Sequence, residues 1–480
     1  MNKMTPMWSK RKPCITQIVS GCATVTKHPI SSRTEWVLWL FGSAQLTRTA
    51  IKRFNAYICK HPTAIFAYSD HRVTGKASGC DELLLKPSWS LDLVRASAYP
   101  GKVIAIRADA FSSYLEQASN PTPYELMLYL GAHHHEKKFI RIPEVLWSTT
   151  MPCKTFRQKY VLKTILKNHL KQINLKADIT ETPERYLKIN YAILPEPPMV
   201  SIIIPTHNML NHLEACIESL LNKTTYQNYE VIVIDNQSDD KETLNYLNKI
   251  TIKRNIRLLK HPHPFNFSAI NNFAAQQARG DMLCLLNNDT EIISPDWLEH
   301  LVSQLLQPGV GVVGAKLLYT NGTVQHAGDA IGVAGCAGHM HGGIDAESPG
   351  YMGRAMLTQD LSAVTGACLL TYKSLYQELG GLDEKHLAVA FNDVDYCLRT
   401  REANKKVIFV PDALLYHYES VSRGGKISPE KKRRIKKEVA YMHKRWKQVI
   451  TQDPFYHPCM NKQKADFTLA TQSRRIWSWK

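Results

Sequence analysis

Residues 200–208 read Val-Ser-Ile-Ile-Ile-Pro-Thr-His-Asn. A run of apolar side chains closed by Pro-Thr is the mark of a strand buried on both faces, and such strands belong to parallel sheets. The next segment, "MLNHLEACIESLLNKT", sets Leu210, Leu213, Ile217, Leu220 and Leu221 at helical spacing. Strand "YEVIVIDN", helix "KETLNYLNKI", strand "IRLLKH", helix "FSAINNFAAQQARG", strand "DMLCLLNND", helix "SPDWLEHLVSQLLQ" and strand "VGVVGAKLL" follow in turn. Strands alternating with helices of this length imply βαβ units, and therefore an α/β fold with a mainly parallel central sheet. Beyond Tyr319 the pattern fades into the Gly- and His-rich stretch "GTVQHAGDAIGVAGCAGHMHGG", and a basic helix is expected near residues 429–448.

The 480 residues suffice for two or three domains, and 44% hydrophobic with 21% charged side chains argues for packed cores. "LPEPPM", Leu194–Met199, crowds three prolines into four positions and cannot extend a helix or a central strand. It divides the chain into a smaller α/β module at 1–194, ending in the helical "TFRQKYVLKTILKNHLKQI", a sheet-bearing domain at 195–425, and a basic helix and tail at 426–480.

A formal charge of +18 suits anionic partners: nucleotide diphosphates, nucleic acid or an acidic membrane surface. Residues 421–450 alone carry eleven Lys or Arg against Glu430 and Glu438, a composition that fits either a solvated helix face or a patch that attracts membranes or phosphate. No zinc-finger, helix-turn-helix or aromatic RNP-like pattern accompanies the charge, which argues against nucleic acid. Neither a P-loop nor GxGxxG opens a helix, so ATPase and dehydrogenase readings are poor. No apolar run reaches the ~18 residues needed to span a bilayer, no secretory signal is apparent, and the eleven scattered cysteines suggest reduced thiols in a cytoplasmic protein.

At the carboxyl edge of a parallel sheet, Thr206, Asp235 and Asn287–Asp289 converge on one crevice. Each has a plainer reading. Asp235 and Ser238 in "DNQSDD" also suit an Asx-turn before a helix. Asp289 suits a structural cap, although a carboxylate closing a buried strand needs compensation, which a divalent ion carrying a diphosphate would supply. His326, His339 and His341 are irregularly spaced and lack acidic or cysteine partners, so no metal cluster is expected of them.

The ordered set "VSIIIPTHN", "YEVIVIDNQSDD", "ARGDMLCLLNNDTEI", "TGACLLTYKSLYQELGGLDE", "AFNDVDYCLR" and "LLYHYES" resembles the family 2 inverting glycosyltransferases of the GT-A fold. "PFNFSAINNFA" and "NGTVQHAG" are similar to the bacterial O-antigen and polysaccharide branch that includes rhamnosyltransferases. The resemblance spans about Pro195 to Tyr456. It implies that Pro205, Thr206 and Asp235 hold the donor nucleotide, and that Asn287, Asn288 and Asp289 stand at the family's acidic metal-binding triplet. Two of those three are amides here, so Mg2+ or Mn2+ would rest on Asp289, with Asn287 and Asn288 bonding the nucleotide. His417 matches a late histidine that approaches the metal or diphosphate, and a structural histidine fits the same position. Asp393 matches the catalytic base, where relatives show Glu-Asp for Asn392-Asp393, and Asp395 suits a helix N-terminus. Gly366, Gly381 and Asp383 match the acceptor-side wall, although a plain turn also suits the glycines.

"FAYSDHRV", "LLKPSWSLDLV", "YELMLYL" and "IRIPEVLW" are similar to the back half of a second GT-A module, with His71 and Arg72 where acids are expected, which implies a degenerate, non-catalytic copy. The resemblance thus implies an inverting transferase that moves a hexose or deoxyhexose, such as rhamnose, from a nucleotide sugar to a glycan or lipid-linked glycan such as lipopolysaccharide O-antigen. It would work in the cytoplasm at the inner membrane face. The alternative is a weakly active pseudoenzyme that binds carbohydrate or nucleotide sugar, prompted by the two amides.

Overall fold

The computed structural model describes residues 15–21, 35–75, 81–118, 121–150, 156–253, 255–418 and 428–470. The chain forms two compact units that divide between Asn174 and Leu175. The hairpin Ala177–Glu181/Leu187–Tyr191 and residues 428–470 therefore belong to the second unit. The sequence reading had counted the hairpin with the N-terminal module and the C-terminal helix as a separate piece. Proline-rich "LPEPPM" breaks the secondary structure without ending the unit.

The first unit holds a seven-stranded mixed sheet whose longest strands, Phe66–Val73 and Phe139–Thr149, run parallel. Its core is aromatic, with Trp39, Phe54, Phe66, Tyr68 and Trp147 almost fully buried. His71 lies flat on Trp147 at 4.1 Å, and burial, with Lys86 nearby, pushes its imidazole down to about 2. It is a neutral packing ring. Arg72 pairs with Asp81 at 3.2 Å.

In the second unit the expected strands form as β1 (Val200–Thr206), β2 (Tyr229–Asp235), β3 (Ile256–Lys260), β4 (Met282–Leu286), β5 (Thr290–Ile292) and β6 (Val310–Leu318). The helices between them are α1 (Leu210–Lys223), α2 (Lys241–Ile250), α3 (Phe267–Gln277) and α4 (Trp297–Leu305). Further on come β7 (Val324–His326), β8 (Asp329–Ile331), β9 (Ala337–His339), β10 (Cys368–Tyr372), α5 (Asn392–Glu402), β11 (Lys406–His417) and α6 (Pro429–Arg445).

The sheet order is β3-β2-β1-β4-β10-β6-β11-β5. The run β3-β2-β1-β4 is parallel, as is β6 beside β11, whereas β10 lies antiparallel between β4 and β6 and β5 antiparallel to β11. This is the α/β fold expected, with four parallel and three antiparallel pairs along this path. Ile202, Ile204, Val231, Val233 and Cys284 meet Leu213 and Ile217 of α1, and Trp297 and Leu301 of α4 close the same core. Burying each large side chain contributes roughly 1.5–3 kcal/mol. The one polar residue inside β1, Ser201, donates to Glu230 at 2.7 Å and accepts the Gly280 amide at 2.8 Å, which fixes the register of β1 against β2 and the entry to β4.

Candidate active site

Register sets which side chains share the sheet's carboxyl edge. Thr206 pairs directly with Asp235 across β1 and β2. Asp235 Oδ1 accepts the Ser238 amide at 3.0 Å, so the Asx-turn forms, and Ser238 Oγ accepts the Asn208 amide at 2.9 Å. Asn288, just past β4, donates from Nδ2 to Thr206 Oγ1 at 3.1 Å. Thr206, Asp235 and Asn288 therefore do meet at one crevice, with Pro205 one register step behind, opposite Ile234.

Sequence reasoning missed Asn236. Its amide donates to the Thr206 carbonyl at 2.8 Å, and its Nδ2 bonds the carbonyls of His261 at 2.9 Å and His263 at 2.8 Å. One buried amide thus ties together the loops after β1, β2 and β3. The available signal was a polar side chain directly after the apolar run "VIVID".

Asp289 and His417 meet because β5 and β11 are antiparallel, with Thr290 opposite His417 and the Tyr418 amide bonded to the Asp289 carbonyl at 2.9 Å. His417 Nε2 lies 3.2 Å from Asp289 Oδ1. Gln325, which the sequence reading did not single out, decides what that contact means. Its Nε2 donates to the His417 carbonyl at 3.2 Å, which turns its Oε1 toward His417 Nδ1 at 2.7 Å. The imidazole proton is thereby held on Nδ1, and the bare Nε2 faces the Asn287 Nδ2 donor at 3.3 Å. Burial pushes the Asp289 carboxyl up and a proton on Nε2 would pull it below its ordinary range. Yet Oδ1 is buried with no aligned hydrogen-bond donor. An imidazole lone pair and an orphaned carboxylate oxygen, side by side with an amide behind the imidazole, are a donor set that fits a divalent cation.

Asp393 is the second residue of α5, whose N-cap is Phe391 with a φ of 61°. Its Oδ2 accepts the Gly366 amide and its Oδ1 the Val394 amide, both at 2.8 Å. Burial, with the Asp329 charge adding to it, raises the Asp393 carboxyl above the ordinary range. Gly366 leaves the necessary room, since a Cβ there would stand 3.3 Å from Asp393 Cβ. The neighbouring Ala367 carbonyl accepts the Asn287 amide at 3.0 Å, where β10 starts beside the end of β4. Two successive backbone links thus join the Asp289 side of the sheet edge to Asp393.

Asp395 turns elsewhere. Fully buried, it accepts from Arg399 Nε at 2.7 Å and Trp446 Nε1 at 2.8 Å. Gly381 and Asp383, grouped with Gly366 from the sequence, also take other partners. They line a cleft of about 590 Å³ with Asn272, Glu384, Arg399 and Arg445, and Asp383 accepts from Tyr441 of α6 at 2.7 Å.

The histidine expectation needs correction. His341 stacks on Phe467 at 4.3 Å, apart from the others, but His326 and His339 converge on Asp329, an acidic partner that the spacing did not reveal. A tight turn and a strand pairing bring the three together.

The second unit is of the GT-A fold type, and it gathers polar side chains, the Asp289–His417 pair and the Asp393 carboxylate at the carboxyl edge of its parallel strands. Residues 201–380 match the model of "Glycosyl transferase family 2", and that part of the chain is a domain of this family. It is 36% identical over 426 residues to an uncharacterized protein, y4gI, of Sinorhizobium fredii, a match covering 86% of this chain and 47% of that one. It is 31% identical over 409 residues to the O-antigen biosynthesis protein RfbC of Myxococcus xanthus, covering 83% and 32%. The chain therefore spans less than half the length of these two curated relatives. The solved structure of GalNAc-T7 with UDP, GalNAc and Mn2+ aligns over 53% of this chain and 50% of that one, at 15% identity and a TM-score of 0.43, too loosely to bear on the chemistry.

Proposed function

We propose that this chain transfers a hexose or deoxyhexose, such as rhamnose, from a nucleotide-sugar donor to a growing cell-surface glycan of the O-antigen type, with inversion at the anomeric carbon. The carrying observation is the Asp289–His417 pair, two lone-pair groups facing each other on the sheet edge that also leads to Asp393. Thr206, Asp235 and Asn288 bind the nucleotide, with Asn287 beside them. Asp289 and His417 would hold Mg2+ or Mn2+, whose positive charge would stabilise the departing diphosphate. Asp393 takes the acceptor hydroxyl proton as that oxygen attacks the face opposite the leaving group, a role its raised affinity for protons suits. Gly366 keeps the acceptor side open above it, and Gly381 and Asp383 serve a more distant part of that wall.

The reaction is placed at the inner face of the cell membrane. α6 supports this: Lys432, Arg433, Lys436 and Lys437 are all exposed on it. Among the described residues no helix is long and apolar enough to cross a membrane.

A panel of nucleotide sugars with divalent cation, read as nucleotide diphosphate release by the purified chain, tests the reading. Release with one donor, abolished in Asp393→Asn and by chelation, is the expected result. Donor-specific thermal stabilisation without turnover under any acceptor condition, and indifference to Asp393→Asn, would instead identify the pseudoenzyme that Asn287 and Asn288 suggest.

A further inference from the structure

His326 closes β7, and Gly328, with a φ of 93°, turns the chain straight into β8. A Cβ at Gly328 would lie 1.9 Å from Leu361 Cδ1, so only glycine makes this turn. The antiparallel register of β8 and β9 then sets Asp329 opposite His339. His339 Nδ1 stands 2.8 Å from His326 Nδ1 and 2.7 Å from Asp329 Oδ1, and the remaining side of the triangle is 3.8 Å. The side chains of His326 and Asp329 are 0% and 4% exposed, whereas that of His339 is 39% exposed and opens the cluster to solvent.

Protons alone do not satisfy this triangle. His326 Nε2 accepts the Thr365 amide at 3.3 Å, which assigns its proton to Nδ1, aimed at His339. His339 Nδ1 must then be a lone pair, and it faces the buried Asp329 carboxylate at 2.7 Å, acceptor against acceptor. A proton on His339 Nδ1 gives Asp329 a donor but sets two N–H groups against each other. Shifting the His326 proton to Nε2 relieves that clash and opposes the Thr365 amide instead. A cation takes all three lone pairs at the cost of that same Thr365 contact, and the three ligand atoms lie within 3.8 Å of one another, as a cation site requires.

We propose that His326, Asp329 and His339 bind a transition-metal dication of the Zn2+ class, separate from the Asp289–His417 pair. Two imidazoles and one carboxylate are ligands for Zn2+, Co2+ or Ni2+ more than for Mg2+, and three protein ligands with an exposed side leave a position for water. The ion ties β7 to the β8–β9 hairpin.

The test uses the untagged full chain, stripped with chelator, loaded with Co2+ and freed of excess ion by gel filtration. The variant Asp289→Asn/His417→Ala should keep one Co2+ per chain with its visible d–d absorption. His339→Ala in that background should lose the ion and the absorption while keeping the circular dichroism spectrum, since the side chain removed is exposed. His339→Cys should restore binding with a new thiolate-to-cobalt charge-transfer band. The proposal is overturned if the Asp289→Asn/His417→Ala protein retains no Co2+, as a triangle occupied by a proton would give. It is equally overturned if His339→Ala leaves stoichiometry and spectrum unchanged.

Discussion

His417 Nε2 and Asp289 Oδ1 stand 3.2 Å apart as two acceptors, because Gln325 Oε1 claims the imidazole proton on Nδ1 at 2.7 Å. The geometry makes Gln325 a positioning residue. Gln325→Leu should weaken Mn2+ binding about 10- to 100-fold, as loss of such an outer partner commonly does. Titration calorimetry with Mn2+ measures it, and Asp289→Asn should lose the Mn2+ signal altogether.

In the proposed reaction Asp393 takes a proton, so it must be ionised to act. Burial and the nearby Asp329 charge raise its carboxyl above the ordinary range of about 3.9, so more of it is protonated at any given acidic pH. Activity should therefore fall with decreasing pH along a limb displaced upward from that value. Asp393→Asn should lower kcat about 10²- to 10⁴-fold and abolish the limb. A pH profile of kcat/KM for both proteins checks the sign.

Asp395, two residues along the same helix, should behave differently. Its removal takes the carboxylate from the Arg399 Nε–H and the Trp446 N–H that it now accepts, leaving the guanidinium charge without its counter-ion. Asp395→Ala is expected to destabilise the fold by about 3–5 kcal/mol, the effect of breaking a buried ion pair from one side. Urea denaturation reads this directly, and Asp393→Asn, which gives up one of two backbone-amide contacts, should lower the midpoint less.

Asn236→Ala should cost about 1–3 kcal/mol, because the buried His261 carbonyl and the partly buried His263 carbonyl lose their donor. The loops that border the nucleotide crevice loosen together, so donor affinity should fall along with the melting temperature.

Replacing Lys432, Arg433, Lys436 and Lys437 of α6 with Ser should weaken binding to anionic vesicles by about 1 kcal/mol per residue. Sedimentation with phosphatidylserine vesicles at two salt concentrations measures it. Nucleotide release in solution should stay unchanged.

The strands Val200–Thr206, Tyr229–Asp235 and Val310–Leu318 and the helices between the early strands were legible because each reports a local period, two-sided burial or a helical stripe. Strand ends were legible with them, and with those ends the meeting of Thr206, Asp235 and Asn288. The antiparallel insertion of Cys368–Tyr372 between β4 and β6 was not, since an apolar strand carries no mark of its direction or neighbours. That insertion brings Gly366, and Asp393 behind it, to Asn287. The same lack of local signal hid Gln325 behind His417 and Asp329 between two histidines, and it let Gly381 and Asp383 be grouped with Gly366.

By itself, then, the sequence determined an α/β sheet of a recognisable family and the residue types available at its carboxyl edge, because periodic burial and residue chemistry are properties of short segments. Tertiary structure alone decided which of those side chains face one another, which imidazole nitrogen is left bare and which carboxylate is buried against another charge. Those outcomes depend on strand order and register between segments far apart in the chain, and no local pattern encodes them.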